Sequence, residues 1–112
     1  MARLNILNRL RAKFSPTDEV DRDQRPLAVS PETRASVHEE GLTILHIPSG
    51  RVFVCNRSAA RIWLGASKGL SVDRLAEEMS GEYSVAPEIV QRDTRLLVSQ
   101  MELHGLIIRS AV

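Results

Sequence analysis

The chain has a single cysteine, Cys55, so no intramolecular disulfide can form. It has no CxxC pair, and His38, His46 and His104 are too scattered for a zinc pattern. Aromatic residues make up only 4%, so the core has to be built from Leu, Ile, Val and Ala. There is no run of ~18 apolar residues, which excludes a membrane-spanning helix. The N-terminus mixes basic and apolar residues but has neither a continuous signal-peptide core nor a cleavage site, so a cytoplasmic protein is expected. Gly65, Gly69 and Gly81 do not fit the spacing of a phosphate loop, and no GxSxG elbow is present. Glu77 and Glu78 are neighbours that diverge by ~100° on a helix, so they cannot act as a facing carboxylate pair. No catalytic set is found, and the expectation is a protein that is not an enzyme and needs no cofactor or metal.

Charge of one sign is missing too. The net charge is +1. Residues 34–112 hold nine Lys/Arg against nine Asp/Glu. A dedicated DNA-binding domain carries a basic excess, so this balance weighs against nucleic acid as the main partner.

What is present is an ordinary soluble composition, 43% hydrophobic and 26% charged, in 112 residues. That length fits one domain. Residues 1–14 place Leu4, Leu7, Leu10 and Phe14 at helical spacing among Arg3, Arg9, Arg11 and Lys13. Two readings stand: a short amphipathic helix that docks on a partner, a membrane surface or the domain, or a frayed tail. Residues 15–33 contain three prolines and many charges and read as a linker or extended arm, with Leu27, Ala28 and Val29 as a short strand within it. The expected division is an N-terminal segment and linker over 1–30 and a folded domain over 31–112.

Three strands are predicted in succession. Residues 33–39 give the weakest, residues 42–47 a stronger one, and residues 51–56 the strongest, with Val52, Phe53, Val54 and Cys55 together. Pro48-Ser49-Gly50 supplies a hairpin turn, and Gly41 supplies another. Three helices follow. The first is capped by Asn56 or Ser58, carries Ala59, Ala60, Ile62 and Trp63, and loosens at Gly65. Trp63 reads as a core anchor. Ser71 caps the second, whose stripe is Val72, Leu75, Ala76 and Met79, and Gly81 ends it. Pro87 opens the third, which runs to about His104, with Val90, Thr94, Leu97 and Met101 facing inward. His104 suits the helix C-terminal dipole. The fold class is α+β: a winged helix-turn-helix-like domain with a three-stranded antiparallel sheet followed by three helices.

The ordered stretches GRVFVCNRSAARIW at 50–63, KGLSVDRLAEEMSGEYSV at 68–85 and VQRDTRLLVSQMELHGLI at 90–107 resemble the PqqD family, also called the RiPP recognition element. Cys55 stands where that family commonly has Leu, Leu64-Gly65-Ala66 replaces a Leu-rich segment, and Thr94 replaces Val or Ile. The segment before the hairpin lacks the Pro-Glu of the PQQ-pathway members and is closer to the leader-binding partners of lasso-peptide proteases. The resemblance implies a peptide chaperone for natural product biosynthesis. A precursor's leader peptide would add as a strand to the sheet edge, with the third helix as the other wall. The module would then present it to a radical-SAM enzyme or a leader protease of the same pathway.

The residues offer a physical basis for that role. An unpaired edge invites a guest strand. Alternation turns Phe53 and Cys55 one way and Val52 and Val54 the other. Asp93, Leu96, Gln100 and Leu103 form a stripe on the third helix. The expected peptide-binding residues are therefore Arg51, Val52, Phe53, Val54, Cys55, Asp93, Leu96, Gln100 and Leu103. The bland alternatives are that Leu96 completes the core, Asp93 is a solvated charge and Cys55 packs as a small hydrophobe. Two other functions compete: a winged-helix DNA-binding regulator using Arg92 and Arg95, and a scaffolding subunit docked through residues 1–14. A monomer or a homodimer through the open edge fits equally well.

Overall fold

A computed structural model describes residues 21–110. The N-terminal amphipathic stripe at 1–14 lies outside the described residues. The elements run β1 (Leu27–Val29), β2 (Thr33–His38), β3 (Gly41–His46), β4 (Arg51–Cys55), α1 (Arg57–Ser67), α2 (Val72–Tyr83), α3 (Pro87–Leu103) and β5 (Ile107–Arg109). Strands β2, β3 and β4 form an antiparallel meander in that order, as the sequence predicts. None of the described helices is long and apolar enough to cross a membrane.

Strand alternation sets the core face of the meander. Ile44 pairs with Phe53 and Leu42 with Cys55. All four are 3% exposed or less and meet the helices. Burying one such side chain contributes about 1.5–3 kcal/mol. Strand β2 overhangs this core: only Thr33 is buried, and Val37, on the core-facing side of the strand, is 67% exposed. Gly41 holds the β2–β3 turn with φ +147°, and a Cβ there would overlap the Cys55 carbonyl, so this turn is closed against the end of β4.

Each helix starts as its sequence requires. The Asn56 side chain, rather than Ser58, caps α1 by accepting from the Ala59 N–H at 3.0 Å. Ser71 caps α2 by accepting from the Arg74 N–H at 3.1 Å. Pro87 stands in the first turn of α3, where no N–H is missed.

Three helix details differ from expectation. Helix α1 does not loosen at Gly65 but continues to Ser67. Gly65 is a contact point: a Cβ there would overlap Leu75 of α2, which is fully buried. Helix α2 passes Gly81 and ends at Tyr83, with Ser84 taking the left-handed cap at φ 53°. In α3 the inward set is Val90, Thr94, Val98 and Met101, with Val98 at 0% exposure, while Leu97 is only half-buried.

The packed body reaches back past residue 30. Strand β1 pairs antiparallel with β5, with Leu27 opposite Arg109 and Val29 opposite Ile107. Leu27 is 1% exposed. Upstream of it, Asp23 is also 1% exposed and accepts from Arg95 of α3 at 2.8 Å. Arg109 of β5 has a side chain only 6% exposed and lies 3.8 Å from Asp23 and 3.1 Å from Glu102. Arg22 reaches the same Glu102 oxygen at 3.2 Å. Burial lowers the basicity of Arg109, against the pull of Glu102. This ion cluster fastens both ends of the described chain to α3.

Candidate functional site

Strand β4 is an edge. Strand β3 is on one side of it, and among the described residues no strand is on the other. Residues 51–55 make no backbone hydrogen bond to the described chain outside the pairing with β3. The outward-pointing amides and carbonyls are therefore open to a guest strand.

Side chains on this strand divide by face. Phe53 is 1% exposed and Cys55 3%, so both lie in the core and only their backbone can meet a ligand. Burial pushes the Cys55 thiol up, which keeps it protonated and a poor nucleophile. Val52 and Val54 are exposed on the opposite face, beside Leu45, which pairs with Val52. Arg51 is exposed at the strand's start.

Helix α3 comes to this strand at its C-terminal end. The rings of Phe53 and His104 lie 5.1 Å apart at 52°. Leu97, Gln100 and His104 share a face at i, i+3 and i+7 spacing. Gln100 on this face is only 8% exposed. Leu96 is half-buried and Leu103 is 62% exposed. Asp93 is exposed, 3.6 Å from Arg92, and sits about 16 Å along the helix axis from His104 at 1.5 Å per residue.

The structure thus brings Gln100 and Leu103 to the end of α3 that contacts β4, and leaves Asp93 at a distance from that contact. Read from the sequence, His104 has only a dipole role, yet in the structure it meets Phe53 and so forms the contact between the two walls. Its signal was the spacing from Leu97 and Gln100. Burial and the nearby Arg51 charge both lower the basicity of His104. No group of His, Cys, Asp and Glu among the described residues could hold a metal ion.

Residues 41–107 match the family model for coenzyme PQQ synthesis protein D. The chain belongs to the PqqD family. No curated protein matches it. Solved structures do. One is "Lasso peptide synthetase B1 complexed with the leader peptide", 26% identical, covering 73% of this chain and 96% of that one at a TM-score of 0.67. A second is "TbiB1 in Complex with the TbiA(beta) Leader Peptide", 22% identical, covering 76% and 99% at a TM-score of 0.70. A third is the PqqD truncation of Methylobacterium extorquens PqqCD, described as a stand-alone RiPP recognition element, 17% identical, covering 86% and 95% at a TM-score of 0.63. The last two establish the fold of this PqqD-family chain. The matched span takes in β3, β4, all three helices and the start of β5, and so includes both walls described above.

Proposed function

We propose that this PqqD-family chain is a non-catalytic recognition element that binds the leader of a ribosomally made precursor peptide. The leader adds as a strand to the open edge of β4 and rests against the C-terminal half of α3. The chain then presents it to a modifying enzyme, of the radical-SAM type, or to a leader protease.

The observation that carries this reading is the open β4 edge beside the end of α3, where His104 meets Phe53 and Gln100 is nearly buried. Backbone hydrogen bonds along β4 give affinity that tolerates sequence, and the contacts to α3 give selectivity. Within the expected set, Arg51, Val52, Val54, Gln100 and Leu103 act through side chains. Phe53 and Cys55 act through their backbone, Leu96 supports the wall, and Asp93 meets only a leader long enough to run up the helix. The likeness to two proteins solved with leader peptides supports the same assignment.

The DNA-binding alternative loses ground on α3. Arg95 is held by the buried Asp23 and Arg92 lies against Asp93, so neither offers a free cation to a phosphate.

The test is an amide-resolved NMR titration of the full chain with the synthetic leader of each precursor encoded beside its gene. Saturable binding with shifts in residues 51–56 and 89–103 is expected. Failure of every neighbouring precursor to bind, or shifts confined to β2, would overturn the proposal.

A further inference from the structure

We infer that the Arg51 end of the groove selects a carboxylate, an Asp or Glu side chain on the bound peptide. This inference rests on the strand-addition reading above and adds a specificity to it.

Three basic groups gather at that end. His46 of β3 stands directly across from Arg51 of β4. The His46 Nδ1 lies 2.7 Å from Ser49 Oγ. On its other side Nε2 faces Gly105, where a Cβ would come within 3.2 Å of it. His104, the residue before Gly105, contacts Phe53, two residues along β4 from Arg51. The loop after α3 therefore closes over the start of β4 and brings both imidazoles beside the guanidinium.

Arg51 differs from the other described arginines. Arg22, Arg25, Arg61, Arg74, Arg92, Arg95 and Arg109 each meet a carboxylate. Arg34 and Arg57 donate to backbone carbonyls. Among the described residues the Arg51 guanidinium has neither. The nearest acid in the chain to His104 is Glu102, and it is already taken by Arg22 and Arg109. The corner thus holds a guanidinium with no counter-charge among the described residues, beside two imidazoles, at the end of an edge where a guest strand would start or finish.

A carboxylate answers that arrangement. A guanidinium receives it through two parallel N–H donors, a geometry that a hydroxyl or amide cannot match with charge. An anion seated between Arg51 and His104 would also favour the protonated imidazole, which burial and the Arg51 charge otherwise oppose. A purely local role is the rival: the Arg51 charge would then simply complement the C-terminal dipole of α3.

Selection from a random peptide display library separates these. The full chain and its Arg51→Glu variant are used as bait, and circular dichroism confirms that the variant is folded. Peptides selected by the wild type should carry Asp or Glu at a fixed place, and those selected by Arg51→Glu should carry Lys or Arg there. In one selected peptide, replacing the acid by its amide should weaken binding to the wild type about tenfold, the scale of one charge-assisted pair. Arg51→Gln, which keeps the stem and removes the charge, should erase that difference. Peptides that shift residues 51–56 but show no acidic preference would overturn this inference and leave strand addition standing. Selected peptides that leave residues 51–56 unperturbed would overturn both.

Discussion

Asp23 is the perturbation with the largest expected effect, in a segment that reads as a linker. Its carboxylate is 1% exposed and receives both Nε and Nη2 of Arg95, at 2.8 and 2.7 Å. Arg109 beside it is only 6% exposed, and its Nη2 meets no acceptor. Asp23→Ala removes the anion and strands this cation in the interior. Breaking a buried pair from one side costs about 3–5 kcal/mol. Glu102 still lies 3.1 Å from Arg109, which puts the expected loss at the low end, about 3 kcal/mol. The whole domain is stable by only about 5–13 kcal/mol. For a domain of this size the melting temperature should fall by roughly 12–24 °C, read by circular dichroism at fixed concentration. Adding Arg109→Met in the Asp23→Ala background removes the stranded charge, and Glu102 keeps Arg22 as its partner. The double variant should therefore melt above the single one. A fall of less than about 3 °C for Asp23→Ala, or a double variant no better than the single one, would refute the argument.

The two helix glycines should respond in opposite directions. Gly65→Ala should destabilise by about 1 kcal/mol in chemical denaturation, because overlap with the fully buried Leu75 exceeds the gain in helix propensity. Gly81→Ala meets no atom within 4 Å and should stabilise by about 0.5–1 kcal/mol. Arg61 bridges α1 to Glu78 and Glu82 of α2 at 2.8 and 2.9 Å and holds both acids below the ordinary glutamate value of 4.5. That stabilisation is complete above pH 4.5 and is lost as the pH falls through the lowered values, so acid unfolding should shift to higher pH in Arg61→Met. His104 should titrate below its ordinary 6.5 by NMR, and Arg51→Gln should raise it only part of the way, since burial is the larger cause. Because the folded form resists protonation there, stability should decline as the pH drops below 6.5.

The meander and the three helices were legible because each carries its own signal. Phe53 and Cys55 alternate with Val52 and Val54, and Asn56, Ser71 and Pro87 mark three helix starts. The misreadings share a cause: a local rule gave way to a contact distant in sequence. Gly65 reads as a weak point until Leu75 is placed against it. Leu97 and Val98 are adjacent leucine-like choices, and the packing of α3 on α2 and β5 decides between them. Asp23 and Arg109 are 86 residues apart, and no spacing rule links an acid in a proline-rich arm to a cation at the other end. The site was legible in part. The β4 edge follows from strand order, but the burial of Gln100 and the ring contact of His104 depend on how α3 crosses the sheet.

The β1–β5 pairing has a consequence for architecture at a larger scale. The Ser110 N–H donates to the Pro26 carbonyl at 2.9 Å, so the chain enters and leaves the domain at a single pole. Asp23, 3.8 Å from Arg109, keeps the two ends of the described chain side by side, so segments joined before residue 21 and after residue 110 start from the same pole. The recognition unit behaves as a plug-in bead: linker length, rather than the choice of terminus, sets how far its open edge stands from whatever is tethered to it.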